Sequence, residues 1–406
     1  ENMKIIEVKS REILDSRGWP TVETDITIEG NITGRASVPS GASTGSNEAL
    51  ELRDNEKRYL GKGVLKAVNN VNTIIKENII NKDFENFQEL DELLIKLDNT
   101  KNKTNLGANA ILSVSLAYIK ACAQKENKEL YQYIGEKKQV PKCMFNILNG
   151  GMHADNKIEF QEFMIMVNRK TIKEQLQIAS EIFHNLKNIL KEQGYSTNVG
   201  DEGGFAPNLQ NNEEALDTII KAIEISGYKP KEDILIALDI AASSFYDNNK
   251  KMYLIDNTYK TTDQMIEMYK ELIKKYPIFS IEDPLEEQDF IGFAKLTKEL
   301  QTNIVGDDLY TTNKNLLQKG IENKSTNFIL LKANQIGTIT EMLETINLAR
   351  ENNINMIISH RSGETEDTFI SDFAVGLGIP YMKSGSLSRG ERICKYNRLL
   401  RIEENL

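Results

Sequence analysis

The chain has 406 residues, of which 40% are hydrophobic and 27% charged, with a formal net charge of -10. It is too long for one ordinary domain but accommodates a β/α barrel of about 250 residues plus a smaller domain, and its acidity disfavours nucleic acid or an anionic membrane as the main partner. The three cysteines, Cys122, Cys143 and Cys394, form neither a CxxC nor a paired framework, which excludes a disulfide scaffold or zinc site and reads as the reduced thiols of a cytosolic protein.

Residues 3–38 alternate apolar and polar in three runs, MKIIEVKS, TVETDITIE and ITGRASVP, with Gly30-Asn31 as a turn between the last two. That pattern predicts a three-stranded antiparallel meander. The loop Pro39–Gly45 after it holds almost only small residues, none large enough to anchor it by packing, so it is expected to move. Helical periodicity runs over 64–80, 85–98 and 106–124, the last rich in Ala and Ser and suited to close packing. This last stretch is broken by Ser113, Ser115 and Lys120 and is too short to span a bilayer. No signal-peptide pattern opens the sequence. Meander and helices together predict an α+β domain over 1–135, in extensive contact with the remainder of the chain because no Pro- or Gly-rich linker separates the two.

Two polar constellations come next. Asn149–Asp155 is a glycine-containing loop carrying His153, one of three histidines in the chain, and it leads into FQEFMI, where Glu162 interrupts an apolar run. A carboxylate there must be paired, placed at an end, or functional, because burying it alone costs several kcal/mol. The second is GDEGG (200–204) after a β-like STNV, two acids among glycines that allow close backbone approach. His184, inside a helical pattern, reads as a packed or capped histidine rather than a ligand.

From Ile234 onward one arrangement recurs six times: a short apolar run ending in a polar residue. The runs ILIALD, IFSIED, NIVGDD, FILLK, NMIISH and PYMKSG end in Asp239, Glu282, Asp307, Lys332, His360 and Lys383. Amphipathic helices fill the gaps, with Thr262 and Thr338 as candidate N-caps. Buried strands alternating with helices close into a β/α barrel over 136–406, whose reacting groups sit at the C-terminal ends of its strands. Three successive carboxylates without clustered Cys or His suit a hard cation, Mg²⁺ before Zn²⁺. Lysine next in the series suits a general base, provided its pKa falls from about 10.4 toward ~7–8. A base opposite a metal-bound carboxylate can remove the proton α to it, and Glu202 could then act as the acid toward a departing group.

The segments DSRG (15–18), SGASTG (40–45), ALELRD (49–54), YLGKGV (59–64), NGGMHADN (149–156), QEFMI (161–165), NVGDEGGFAPN (198–208), SIEDP (280–284), VGDDL (305–309), KANQIG (332–337), SHRSGETED (359–367) and RIEE (401–404) occur in this order. Together they resemble the enolases along essentially the whole chain. Enolase-superfamily sites are known to use a Lys or His base with one or two Mg²⁺ ions. The resemblance implies reversible dehydration of 2-phosphoglycerate to phosphoenolpyruvate, with two Mg²⁺ per active site in a cytoplasmic enzyme. Asp239, Glu282 and Asp307 then match the ligands of the first Mg²⁺, and Ser40 a contributor to the second. Lys332 matches the base at C2 and Glu202 the acid at C3, supported by Glu162 and Gln161. His153 lies on a matching lid loop. Arg361 and Ser362 match phosphate contacts, and Ala42, His360 and Lys383 further substrate contacts. A homodimer through the smaller domain is implied, with an octamer as the alternative. The sequence departs from the family pattern at Trp19, Asn47, Ser244 and across Asn168–Lys170, none of them an assigned catalytic group. A racemase or cycloisomerase of the same superfamily would carry a KxK base on an earlier strand, where this chain has GDEGG. The acidic composition gives no support to a role as a surface receptor or RNA-processing scaffold.

Overall fold

A computed structural model of the chain describes residues 3–42 and 44–406, so Ser43 of the small-residue loop lies outside the described residues. Strand β1 (Ile5–Leu14) pairs antiparallel with β2 (Pro20–Ile28), and β2 with β3 (Ile32–Ser37). The β2–β3 turn has positive φ at both Gly30 (91°) and Asn31 (60°), the twist-matched conformation that Gly and Asn adopt most readily. Val22, Ile26, Ile28 and Ala36 are buried under the helix Ala108–Lys125. Helix and sheet approach so closely that a β-carbon on Gly34 would lie 2.0 Å from the Ala117 carbonyl oxygen.

The second unit is a closed barrel. Its strands are β4 (Lys142–Asn149), β5 (Glu162–Val167), β6 (Ile234–Asp239), β10 (Ile278–Glu282), β11 (Asn303–Gly306), β12 (Phe328–Leu331), β13 (Asn355–Ser359) and β14 (Tyr381–Lys383), ordered β10-β11-β12-β13-β14-β4-β5-β6. A small antiparallel sheet of β7 (Tyr246–Asp247), β8 (Met252–Ile255) and β9 (Thr258–Lys260) lies between β6 and the helix Thr262–Lys275. Each of the six apolar runs forms a barrel strand. One feature departs from a uniformly parallel barrel: β5 runs antiparallel to both neighbours, with Glu162 opposite Asp239 on one side and Asn149 on the other. The first residue of β5 therefore meets the last residues of β4 and β6. Glu162 does not interrupt a strand; it begins a reversed one.

Met144, Met164, Met166, Ala237, Val305, Phe328, Leu330 and Ile357 fill the barrel interior. The rings of Phe279, Phe328 and Tyr381 pack against one another with centroids 5.2–6.0 Å apart. The interior is a packed core rather than a pore, which leaves the C-terminal mouth for chemistry.

The two units are tied by polar contacts. Ser40 and Gly363 exchange backbone hydrogen bonds of 2.8 Å each, the Ser16 N–H donates to Glu364 O at 2.7 Å, and Lys120 and Lys103 pair with Asp367 and Glu341 at 2.7 Å. Asp91, on the helix Phe87–Asp98, accepts from the Thr340 N–H (3.0 Å) and hydroxyl (2.6 Å) at the start of the barrel helix Ile339–Glu351. Three local expectations need correction. Thr261, in a capping box with Gln264, caps the helix assigned to Thr262, although Thr338 caps its own helix. STNV makes a single bridge, Val199 to Phe205, instead of a strand. His184 neither caps nor enters the core: it is exposed outside the buried stripe and packs only edge-on against Phe183, with ring centroids 5.4 Å apart. Among the described residues no helix is long and apolar enough to cross a membrane, and all three cysteines are free.

Candidate active site

The mouth of the barrel encloses a cavity lined by His153, Gln161, Glu162, Glu202, Asp239, Lys332, Ser359, His360, Arg361, Ser362 and Lys383. All but Ser359 are residues singled out from the sequence. They converge because five strands end there, the reversed β5 begins there, and the glycine-framed turn at 200–204 folds over them. Larger depressions elsewhere on the surface, such as the one bounded by Asn211, Lys260 and Glu271, hold no comparable set of buried ionisable groups.

Lys383, at the end of β14, places Nζ 2.7 Å from Glu162, 3.0 Å from Glu282 and 3.3 Å from Asp239. Burial works against its charge, but the three carboxylates hold its pKa well above the ordinary lysine value. Lys332 Nζ lies 2.8 Å from Asp307 Oδ2, and Gln335 Nε2 donates to Asp307 Oδ1 at 3.0 Å. Here too burial lowers the lysine pKa and the facing carboxylate more than restores it, so the net shift is upward. A free base at this position needs the opposite, a fall; with Asp307 negative beside it, Lys332 stays protonated.

The two lysines are too few to let all the facing acids ionise together. Burial pushes Asp239 up to about 7 and Glu282 well above the carboxylate range, the latter helped by Asp239. Glu282 Oε2 is buried with no hydrogen-bond partner. A set of hard oxygen donors that keep protons because they repel one another as anions, with one buried oxygen unmatched, fits a divalent cation that would let them ionise. Asp307 also belongs to a second group: carboxylate oxygens of Asp283, Asp307 and Asp308 lie within 4.8 Å of one another. Asp283 adopts a positive φ of 43° and accepts the N–H groups of Asp307 (3.0 Å) and Asp308 (2.8 Å), which shapes the turn after β11.

On the other wall, Glu162 and Glu202 share the side-chain amide of Asn146, whose Nδ2 donates to Glu162 at 3.0 Å and Glu202 at 3.2 Å. Burial and the charge of Glu202 push Glu162 up to about 8. Burial also acts on Glu202, but the facing His153 and His360 rings outweigh it and hold that carboxyl well below its usual range. Ser362 adds a hydrogen bond of 3.2 Å to Glu202. The two acids thus form a pair whose environments drive their pKa values apart, with the resting proton on Glu162. His153 Nε2 sits 3.7 Å from Glu202 and 3.3 Å from Ser362 Oγ. His360 Nε2 sits 3.3 Å from Glu202, and burial pushes the His360 pKa down to about 4, leaving the ring neutral.

Arg361 forms a bidentate pair with Glu48 (2.9 and 3.2 Å) and donates to Asn334 at 2.9 Å. Gly41 passes so close that a β-carbon there would lie 2.0 Å from the guanidinium. Ser40 is not on a free loop. Besides its bridge to Gly363, its hydroxyl accepts from Arg17 (3.2 Å) and Arg53 (3.0 Å), and the side chain is buried. Ala42 is exposed beyond it.

Sequence reasoning passed over Asn146, Glu48, Asp283, Asp308 and Arg392. Asn146 carried the same signal as Glu162, a polar residue inside an apolar run. Asp283 and Asp308 stand in the runs IFSIED and NIVGDD beside the acids that were singled out, whereas Glu48 and Arg392 had no local signal, because their partners are distant in sequence.

Fold and site define a β/α-barrel enzyme whose mouth combines buried acids with two lysines and is closed on one side by an α+β unit. The chain matches the family described as "Enolase, N-terminal domain" over residues 5–134 and "Enolase, C-terminal TIM barrel domain" over residues 137–406. It belongs to the enolase family.

Proposed function

We propose that the chain is a hydro-lyase that interconverts 2-phosphoglycerate and phosphoenolpyruvate. The observation carrying this reading is that one cavity presents a lysine among carboxylates on one wall and a Glu–Glu pair with two histidines on the other. Abstraction of a proton α to a carboxylate and expulsion of a β-hydroxyl need a base and an acid on different sides of one substrate. Asp239, Glu282 and Asp307 would hold Mg²⁺, and Ser40 would contribute to a second ion only after Arg17 and Arg53, which donate to its hydroxyl here, give it up. Bound there, Mg²⁺ supplies positive charge for the substrate carboxylate as C2 loses its proton.

The protein's own groups do the rest. Once Asp307 no longer holds it in the ammonium form, Lys332 releases that proton to solvent and its free amine takes the proton from C2. The proton stored on Glu162 moves to Glu202, which delivers it to the departing C3 hydroxyl. Arg361 and Ser362 bind the phosphate, with Glu48 yielding the guanidinium. His153, Gln161, Ala42, His360 and Lys383 orient the substrate. On this reading the enzyme is cytoplasmic, divides into a capping domain (1–135) and a catalytic domain (136–406), and is a homodimer through the smaller domain. Leu14, Tyr59, Leu60 and Leu65, apolar and exposed there, support the last point; sedimentation would separate dimer from octamer.

Ultraviolet absorbance of phosphoenolpyruvate formed from 2-phosphoglycerate, with Mg²⁺ and then excess chelator, is the test. Activity that vanishes on chelation is the expected result. No product from folded, Mg²⁺-saturated protein would refute the assignment.

A further inference from the structure

The C-terminal helix Gly390–Glu403 sends one fully buried guanidinium, that of Arg392, beneath the active-site loops. Arg392 Nη1 lies 2.5 Å from His360 Nδ1 and donates to Arg361 O at 2.6 Å. Its Nη2 donates to Ser362 O at 2.6 Å and Asp201 O at 2.9 Å, and reaches Ser16 Oγ at 3.5 Å. Gly385 makes room for the stem: a β-carbon there would come 2.9 Å from Arg392 Cδ. One side chain thus spans the loop after β13, the turn bearing Glu202, and the β1–β2 connection.

A guanidinium has N–H donors only and no acceptor. A proton on His360 Nδ1 would therefore point into another N–H at 2.5 Å, so Nδ1 must present its lone pair. A neutral ring then carries its proton on Nε2, the nitrogen 3.3 Å from Glu202 Oε1. We propose that Arg392 is a positioning residue of the active site, holding His360 in the Nε2–H tautomer so that a donor faces Glu202, while its fork fixes the carbonyls on both sides of that contact. The ring is also faced by Glu364, whose carboxylate is held by Lys395 at 3.1 Å, which leaves Arg392 as the group in contact with Nδ1. The kinetic part of the proposal rests on Glu202 acting as the acid; the tautomer does not.

Only three histidines are present, so long-range ¹H–¹⁵N spectra of histidine-labelled protein resolve each ring, with the His360 signals identified by their loss in His360→Asn. At pH 7 the unmodified protein should show His360 neutral with Nε2 protonated. A proton on Nδ1, or an imidazolium, overturns the proposal without any Arg392 variant. In folded Arg392→Gln, His360 should sample both tautomers, dehydration should fall on the order of 10–100-fold, and exchange of the C2 proton should persist. An unchanged tautomer, or equal loss of exchange and dehydration, overturns it. Should neither protein act on 2-phosphoglycerate, the proposed reaction fails and the tautomer alone decides the role of Arg392.

Discussion

Replacing Lys383 with Met keeps the length of the side chain and removes its charge. Its Nζ lies within 3.3 Å of Asp239, Glu282 and Glu162, and each of the four side chains is at most 4% exposed. Breaking a buried ion pair by deleting one partner costs ~3–5 kcal/mol. Here three acids share that one ammonium and Glu162 already carries a resting proton, so the loss should fall within that range. Part of the loss is recovered by proton uptake, because Glu162 and Asp239 already titrate at about 8 and about 7; the deficit should be larger at pH 8 than at pH 6. The same substitution removes the group that competes with a divalent cation for Asp239 and Glu282. Urea unfolding in chelator should show the destabilisation, and calorimetric titration without substrate should show Mg²⁺ binding at least ~10-fold tighter, equivalent to ~1.4 kcal/mol. A variant as stable as the parent in chelator, or one that binds Mg²⁺ more weakly, would refute the view that Lys383 balances these acids.

Lys332→Ala should abolish solvent exchange of the substrate C2 proton, whereas Glu202→Gln should retain exchange and lose dehydration; NMR in deuterated solvent separates them, and exchange surviving in the lysine variant would remove it as the base. Glu48→Gln breaks the bidentate pair with Arg361, which should cost ~1–3 kcal/mol of stability yet lower KM for the phosphorylated substrate, and a raised KM would contradict competition for that guanidinium. Gly34→Ala sets a methyl 2.0 Å from one backbone atom and 2.5 Å from another, for an expected loss of about 3 kcal/mol measured by thermal unfolding. Without divalent cation, stability should decline as pH rises from about 4 to 8. The folded-state pKa values of Asp239 and Glu162 are raised, so their contribution is whole below the unfolded carboxyl value near ~4 and is lost through about 7–8, at up to ~1.4 kcal/mol per pH unit per group. Saturating Mg²⁺ should flatten that slope.

The barrel was legible because each strand announces itself twice, in a run such as ILIALD and in the polar residue that ends it. The meander was legible from period-two alternation and from Gly30-Asn31. Contacts closed by the fold were not. Glu48 and Arg361 are separated by most of the chain, and Arg392 lies on a helix whose amphipathic pattern assigns it only to the buried side. Nothing local marks Glu48 or Arg392 as a partner of the site. The small-residue loop was misjudged at its second position for the same reason: composition predicts mobility, but Ser40 is fixed by a backbone bridge to Gly363 and by two arginines.

The reversed strand shows how a wrong local reading and a right functional suspicion can share one cause. In a parallel strand, a carboxylate preceding FMIMV would lie at the closed end of the barrel, against the Phe279–Phe328–Tyr381 aromatic cluster, where no cation waits. Reversal brings that first residue to the open end, opposite Asp239 and 2.7 Å from Lys383. The cost of burying Glu162 is thus met by strand direction, which no single-residue property encodes. The connection from β4 to β5 (residues 150–161), carrying His153, holds no helix beyond a single turn at Gly151–His153, so the chain folds straight back into an antiparallel pair, whereas a parallel crossover usually runs through a helix. The Asn149–Asp155 loop therefore has two roles that are one in physical terms: it reverses the chain and so delivers both His153 and Glu162 to the same mouth.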